Sequence, residues 1–174
     1  MKCLKSETDF LTAEDENLRC GIYLRISRLD ISVDNYDLTV QTRKCEEMII
    51  AKGWLVDKIY LDEDVDGDIY PEDRPGLKQM IVDAREGNLD AIAFYSLNRL
   101  GTVYKIITET IKYLSALEIK IASATENLNP EEPYGMFNID IMAAFSELEM
   151  KNINSKLNHI QDQKKLTRID TSIF

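Results

Sequence analysis

Short apolar runs alternate with amphipathic stretches along most of this chain of 174 residues. Runs rich in β-branched and aromatic side chains predict strands, and apolar residues three and four positions apart predict helices. The predicted strands span residues 19–26, 55–61, 89–95 and 119–124, and the intervening helices span residues 36–52, 75–85 and 103–117. Strands that alternate with helices are typical of βαβ units. We therefore expect an α/β fold, with a mostly parallel sheet of four to five strands flanked by helices.

The last predicted element is much longer than the others. After Gly135 nothing interrupts a helix from about residue 134 to residue 165. Its apolar stripe consists of Phe137, Ile141, Phe145, Leu148, Met150, Ile153, Leu157 and Ile160. A helix of this length extends beyond a small sheet, so its apolar residues need another surface to cover them. We favour a partner-binding helix over residues 134–160, and a helix that breaks near Asn152 and folds back is the alternative.

Composition narrows the class of protein. The chain is 44% hydrophobic and 30% charged, which is typical of a soluble globular domain, and it contains no apolar run of about 18 residues that could span a membrane. Residues 1–18 are polar and acidic and lack the apolar core of a secretory signal. The three cysteines show no CxxC spacing, so we expect free thiols and a cytoplasmic protein.

The charge is unevenly distributed. A net charge of −10 argues against a protein whose whole surface binds nucleic acid. Residues 57–73 nevertheless hold eight acids and one base, whereas residues 151–168 hold five bases and one acid. The positions of individual arginines are therefore more informative than the net charge.

Several common kinds of site are excluded because the sequence lacks residues that they require. Residues 62–73 have the acid spacing of a calcium loop, but a predicted strand precedes them and Pro71 and Pro75 interrupt the helix that an EF-hand requires. His159 is the only histidine, too few for a zinc site or a Ser-His-Asp triad. No GxGxxG or GxxxxGK[ST] motif occurs. We expect no metal, nucleotide or other cofactor.

Polar residues follow the predicted strands at the edge where α/β sheets bind ligands. Arg25 and Ser27 leave the first strand on the same face, Arg74 precedes the second helix, Arg99 follows the third strand, and Gln41 lies near the start of the first helix. A serine hydroxyl can attack a phosphate whose oxygens are bound by guanidinium groups. Without a histidine base, arginines are the natural activators of such a serine. A solvated arginine beside a turn-forming serine is the alternative for the first pair.

These residues lie, in order, within four short motifs, and a fifth motif follows them along the chain. The motifs are Tyr23-Leu24-Arg25-Ile26-Ser27, Gln41, Asp73-Arg74-Pro75-Gly76-Leu77, Asn98-Arg99-Leu100 and Ala143-Ala144-Phe145-Ser146-Glu147-Leu148-Glu149. Over residues 19–160 the chain thereby resembles the catalytic domain of the serine recombinases, the resolvase and invertase family, and most closely the large serine integrases. The resemblance implies that Ser27 cleaves DNA through a covalent 5′-phosphoserine. It also implies that Arg25, Arg74 and Arg99 bind the scissile phosphate and that Gln41 supports them.

The resemblance also implies partners and a domain organisation. DNA would be the substrate, with a homodimer formed by the long helix and a tetramer on DNA, and without a membrane or a small-molecule substrate. We expect an acidic extension over residues 1–18, a catalytic domain over residues 19–165 and a tail over residues 166–174. The family's C-terminal DNA-binding domain has no room before Phe174, as in an excised domain or a truncated relative.

Three residues depart from the family pattern. Asn98 stands in place of an aspartate, and Thr102, which we expect to be a helix N-cap, stands in place of a second arginine. Asp66 replaces a serine, and its carboxylate would repel the phosphate. These changes predict slow chemistry. The alternative from another class is an impaired relative that acts as a non-enzymatic dimerisation or regulatory module; a flavodoxin-like or receiver-type module is a third, which leaves the arginines unexplained.

Overall fold

The order of the elements follows the predicted alternation of strands and helices. The computed structural model describes residues 16–27 and 38–170, with side chains in the last helix described through Lys156 and at His159. The elements are β1 (Arg19–Ile26), α1 (Leu38–Ala51), β2 (Leu55–Glu63), a 3-10 turn (Pro71–Asp73), α2 (Pro75–Arg85), β3 (Ala91–Phe94), α3 (Leu97–Leu100), α4 (Tyr104–Ala116), β4 (Lys120–Ser123) and α5 (Gly135–Asp170). Residues 1–15 of the expected extension, residues 36 and 37 of the first predicted helix and residues 171–174 of the expected tail lie outside the described residues.

The described strands form one four-stranded sheet in the order β2-β1-β3-β4, and every pairing is parallel. The prediction of an α/β fold with a parallel sheet is therefore confirmed. The chain passes from β1 to β2 on one side and then returns to place β3 on the other side of β1. This reversal opens a crevice at the carboxyl ends of β1 and β3, where open α/β sheets bind their ligands.

Each face of the sheet has its own apolar core, because successive side chains of a strand point to opposite faces. On one face, Ile22 and Leu24 of β1 pack with Ile49 of α1. On the other face, Tyr23 of β1 packs with Phe94 of β3 and with apolar residues of α2, α4 and α5. The helices on both faces explain why β1 and β3 are buried along almost their whole length.

Two of the three cysteines lie in the described part of the chain, and both are buried free thiols. Burial raises the pKa of Cys45 to about 12, and it raises the pKa of Cys20 as well. The expectation of free thiols is confirmed for these two residues, and Cys3 lies outside the described residues. No helix in the described ranges is both long and apolar enough to cross a membrane.

The start of α4 differs from the prediction. Val103, not Thr102, stands at the N-cap position, and no side chain caps the helix there. The backbone N–H of Thr102 instead donates to the carbonyl of Gly67 (2.9 Å), and the N–H of Tyr104 donates to the carboxylate of Glu147 (2.6 Å). The expected N-cap role of Thr102 is therefore wrong, because α5 supplies an acceptor that the local sequence does not contain.

One unbroken helix, α5, forms the last part of the described chain. It continues to Asp170, so the alternative of a break near Asn152 is wrong, and the first residues of the expected tail are helical. Ile139 and Ala143 face the core of the domain. Four residues of the predicted stripe, Phe137, Ile141, Phe145 and Leu148, lie on another side of the helix and are exposed within this chain. Ile153 is exposed as well, Met150 is half-buried, and the side chains of Leu157 and Ile160 lie outside the described residues.

Gly135 fixes where α5 begins. A Cβ atom at this position would overlap the carbonyl oxygen of Asn129, so Gly135→Ala must displace the first turn of the helix. We expect the free energy of unfolding to fall by about 1–3 kcal/mol, the usual cost of overpacking. Urea unfolding measures the change, and Lys156→Ala, on the exposed part of α5, is the control. Equal midpoints for Gly135→Ala and the parent would contradict the overlap.

Candidate active site

A cleft of about 330 Å³ opens at the carboxyl edge of the sheet. Arg25 and Ser27, at the end of β1, form one wall. Asp66 and Asp68, in the loop after β2, form a second wall, and α5 contributes a third that includes Lys151. The cleft therefore coincides with the crevice that the strand order creates.

The structure brings two of the predicted site residues into this cleft. Ser27 is the residue directly after β1, and Arg25 lies two positions earlier on the same face. The backbone of Ser27 is fixed through its neighbours, because the carbonyl of Arg25 accepts hydrogen bonds from Gln41 Nε2 (3.3 Å) and Arg99 Nη1 (2.7 Å). Gln41, which is fully buried in α1, thus braces the end of β1 as a neighbour of the serine.

The three predicted arginines form a buried cluster, with Arg25 1% exposed and Arg74 and Arg99 0% exposed. Arg25 donates from Nε to the carbonyl of Arg99 (3.1 Å) and from Nη2 to the carbonyl of Asn98 (2.7 Å). Its Nη1 donates to the carbonyl of Val65 (2.9 Å). Arg25 thereby joins β1 to α3 and to the loop after β2.

Arg74 also joins α3 to the loop after β2. Its guanidinium donates to the carbonyl of Leu100 in α3 (2.6 Å) and to the carbonyls of Gly67 (3.1 Å) and Ile69 (2.9 Å) in the loop after β2. It also reaches the carbonyl of Arg99 (3.4 Å), which Arg25 shares. Arg74 and Arg99 do not line the cleft, so they stand behind Arg25 in this arrangement.

The acceptors in this cluster have an electrostatic consequence. A buried guanidinium is costly unless its N–H groups are hydrogen bonded. The carbonyl oxygens that accept from Arg25 and Arg74 satisfy their N–H groups and carry no net charge. Three guanidinium groups close to one cleft suit the binding of a phosphate.

Asn98 orients Arg99. Its side-chain oxygen accepts hydrogen bonds from Ser96 Oγ (2.6 Å) and from Arg99 Nε (2.9 Å). An amide oxygen therefore holds the guanidinium in the way a carboxylate would, without its negative charge. The departure at Asn98 keeps the geometric role and removes a group that could carry a proton.

Gly67 allows the loop after β2 to approach the arginines. A Cβ atom at this position would lie 2.8 Å from Arg25 Nη2 and would overlap the methyl group of Thr102. The close approach lets the Gly67 carbonyl accept from both the Thr102 N–H and the Arg74 guanidinium. Asp66 and Asp68, on either side of Gly67, are exposed and place negative charge at the mouth of the cleft.

Asp62 is a positioning residue that the sequence analysis missed. It is buried, and its carboxylate accepts hydrogen bonds from Tyr23 Oη (2.8 Å) and from the N–H groups of Gly76 (2.7 Å) and Leu77 (3.1 Å). These bonds hold the start of α2 and, with it, Arg74. The available signal was the alternation of β2, in which Asp62 stands two positions after the buried Tyr60 and therefore points inward.

Glu147 and Lys151 were also missed, because sequence alone does not show which turn of α5 crosses the cleft. The two form an ion pair one turn apart. The hydrogen bond from Lys151, together with the one from the Tyr104 N–H, lowers the pKa of Glu147. Glu147 thus ties α5 to the start of α4, and both residues line the same cleft as Ser27.

Comparison with known proteins agrees with this architecture. A family model described as the resolvase N-terminal domain matches residues 20–167. The N-terminal catalytic domain of TP901-1 integrase is similar in structure, with a TM-score of 0.63 and 22% identity over 76% of this chain and 97% of that one. A resolvase family site-specific recombinase from Streptococcus pneumoniae has a TM-score of 0.57 and 16% identity over 86% of this chain and 99% of that one.

A third similar structure is the C-terminal catalytic domain of ISC1926 TnpA, an IS607-like serine recombinase, with a TM-score of 0.53 and 22% identity over 86% of this chain and 99% of that one. No curated protein matches the sequence significantly. At these identities the structural matches show the fold, whereas the family model covers most of the chain. The protein therefore belongs to the resolvase family of serine recombinases.

Proposed function

We propose that this chain is the catalytic domain of a site-specific DNA recombinase that cuts and rejoins DNA with Ser27 as the nucleophile. The observation that carries the proposal is the cleft in which Ser27 lies beside Arg25, backed by the buried guanidinium groups of Arg74 and Arg99. Membership of the resolvase family supports the choice of DNA as the substrate.

The proposed step is a transesterification that needs no cofactor. Ser27 Oγ attacks the scissile phosphorus, the Oγ–P bond forms, and the bond from phosphorus to the 3′ oxygen breaks. The serine proton passes to water, and the 3′ oxygen leaves as a hydroxyl after it takes up a proton. The 5′-phosphoserine conserves the energy of the broken phosphodiester bond. A 3′ hydroxyl from a different strand can therefore attack its phosphorus, release Ser27 and rejoin the DNA.

The three arginines take unequal parts in this step. Arg25 lies in the cleft, so it is placed to contact the scissile phosphate and the negative charge that develops on it. Arg74 and Arg99 add positive potential from behind Arg25. Direct contact between Arg74 and the phosphate requires the segment from Gly67 to Ile69 to release its guanidinium. Gln41 supports the position of Ser27, because its side chain donates to the Arg25 carbonyl at the end of β1.

Trapping the intermediate tests the proposal. The full chain is fused to a zinc-finger array and incubated with nicked duplexes that carry two zinc-finger sites around a randomised core. Cleavage opposite a nick releases a short strand, so the covalent adduct accumulates. We expect a protein–DNA band that resists denaturation, with the DNA attached at Ser27 by peptide mass spectrometry. No adduct from any duplex in the pool would contradict the proposal and favour the non-enzymatic alternative.

The exposed stripe on α5 supports a homodimer. Phe137, in the first turn of α5, is 62% exposed, and Phe145, two turns further along, is 64% exposed. Two-fold pairing is the commonest way for a soluble chain to bury such a surface. We propose that α5 pairs with its copy in a second chain, and that two such dimers form a tetramer on DNA.

We expect Phe145→Lys to weaken the dimer by at least about tenfold, because burial of one such side chain contributes about 1.5–3 kcal/mol. Sedimentation equilibrium over a range of concentrations measures the dissociation constant. Ile50→Lys is the matched control and should leave it unchanged, because Ile50 is an exposed apolar residue of α1, which packs on the other face of the sheet. A parent chain that stays monomeric at every concentration would contradict the proposal.

The departures at Asn98, Thr102 and Asp66 predict slow cleavage. Thr102 and Asp66 both line the cleft, so Thr102→Arg adds a cation and Asp66→Ser removes an acid beside the phosphate. We expect the triple variant with Asn98→Asp to form the adduct about tenfold faster or more, because one positioned donor typically changes a rate by about 10²–10³. Glu72→Ser removes an exposed acid outside the cleft and controls for net charge. Equal rates in the parent and the triple variant would show that these residues do not limit the reaction.

A further inference from the structure

The position of α3 determines where the arginines of the cluster lie. This helix has four residues, and three of its carbonyls accept hydrogen bonds from Arg25 or Arg74. Its own Arg99 side chain reaches back to the Arg25 carbonyl. A shift of α3 would therefore move the guanidinium that lines the cleft.

A helix of four residues has little stability of its own and depends on contacts with other segments. Backbone bonds from the Arg99 N–H to the Ser96 carbonyl (2.9 Å) and from the Gly101 N–H to the Leu97 carbonyl (3.3 Å) close its single turn. The buried side chains of Leu97 and Leu100 anchor it from below. Its first N–H, that of Leu97, donates to a carboxylate that comes from the loop after β4, Glu126 Oε1 (3.2 Å).

Glu126 is itself held at several points. Its second oxygen, Oε2, accepts hydrogen bonds from the hydroxyls of Ser123 and Thr125, the latter at 2.8 Å. The Glu126 N–H donates back to Ser123 Oγ (3.4 Å). Ser123 is the last residue of β4, so the carboxylate is fixed to the rigid edge of the sheet. Glu126 does not line the Ser27 cleft.

We propose that Glu126 is a positioning residue of the recombination site: it fixes α3 to the end of β4 and thereby sets Arg25 beside Ser27. This inference rests on the proposed function for its catalytic consequence, and it assigns a role in that function to a loop outside the cleft. The chain of contacts runs from the carboxylate to the Leu97 N–H, through the α3 carbonyls, to the Arg25 guanidinium.

The direction in which the reaction rate changes when Glu126 is removed distinguishes a positioning role from an electrostatic one. Removing an acid raises the positive potential of the domain and, by itself, favours binding of DNA. Loss of positioning has the opposite effect on the rate, because a misplacement of about 1 Å can slow a reaction by about 10²-fold. A slower reaction after Glu126 is removed therefore cannot come from charge.

Two substitutions of Glu126 differ in whether they keep the hydrogen-bond acceptor of the Leu97 N–H. Glu126→Gln keeps a side-chain oxygen that can accept from the Leu97 N–H, whereas Glu126→Ala removes the acceptor entirely. Glu131→Ala is the matched control, because Glu131 lies in the same loop and forms an exposed ion pair with Lys120. The rate of adduct formation is measured at saturating DNA, with the zinc-finger fusion and the nicked duplex pool, well below the unfolding temperature of each variant.

We expect Glu126→Ala to react about 10–100-fold more slowly at saturation, with its half-saturating DNA concentration within about twofold of the parent value. We expect Glu126→Gln to stay within about fivefold of the parent, and Glu131→Ala to equal it. A parental rate for Glu126→Ala overturns the proposal. Equal losses in Glu126→Ala and Glu126→Gln also overturn it, because the retained acceptor would then have no effect.

Amide hydrogen exchange gives a readout that does not depend on catalysis. We expect the Leu97 amide to exchange faster in Glu126→Ala than in Glu126→Gln, while the amides of β1 and β3 keep their parental protection. Unchanged exchange at Leu97 in Glu126→Ala overturns the proposal. If the parent chain forms no adduct, the proposed function fails, and the exchange of Leu97 still decides whether Glu126 holds α3.

Discussion

We expect Ser27→Ala to abolish the covalent protein–DNA adduct while the domain keeps its fold. The substitution removes the only atom that could form the phosphoester at this position, and loss of a nucleophile typically lowers a rate by more than about 10⁴-fold. The side chain is small and lies just beyond the last residue of β1, so we expect the free energy of unfolding to change by less than about 1 kcal/mol. Denaturing electrophoresis of the fusion with the nicked duplexes measures the adduct, and urea unfolding measures the stability.

Ser155→Ala is the control, since Ser155 is an exposed serine of α5. It should form the adduct at the parental rate. An adduct that persists in Ser27→Ala would mean that another residue attacks the phosphate. Ser96, which also lies at the carboxyl edge of the sheet, would then be the first position to examine.

The second large effect is expected at Arg74. Arg74→Met removes the donors to the buried carbonyl of Leu100 and to the half-buried carbonyl of Ile69, and it leaves both without those bonds. A buried polar group that loses its partner costs about 1–3 kcal/mol, so we expect the free energy of unfolding to fall by about 3 kcal/mol or more. The urea midpoint should fall by about 1.5 M for a slope near 2 kcal/mol/M.

Arg85→Met is the matched control for this experiment, because Arg85 is an exposed arginine at the last turn of the same helix, α2. We expect its free energy of unfolding to stay within about 0.5 kcal/mol of the parent value. Arg74→Lys keeps the charge but has fewer donors, so its stability should lie between those of the methionine variant and the parent. Equal midpoints for Arg74→Met and Arg85→Met would contradict the structural role of the cluster.

The elements with strong local signals could be predicted well. The bounds of β1 and α2 agree with those predicted from the apolar runs and from Pro75 at the first turn of α2. Gly53 and Gly87 have positive φ angles (71° and 74°), as expected of glycines that end a helix. The convergence of arginines at one sheet edge was also predicted, from their positions at the end of β1, before α2 and after β3.

Other features depend on contacts between distant segments. The four-residue α3 has no periodicity of its own and is stabilised by Glu126 and by the arginines. Thr102 has the residue type of an N-cap, but Glu147 in α5 binds the first N–H of α4 instead. Asp62 was grouped with an acidic loop, because the sequence does not show that β2 continues through Glu63. In each case a tertiary partner overrides the local preference.

The shared carbonyls of the arginine cluster limit how the protein can be recombined with its relatives. Arg25, Arg74 and α3 belong to three successive βα units, and backbone carbonyls of one unit accept hydrogen bonds from the arginines of another. A chimera that takes one of these units from a relative and keeps the other two combines backbones that do not match each other. We therefore expect exchange between family members to be tolerated best at junctions that keep all three units from one parent.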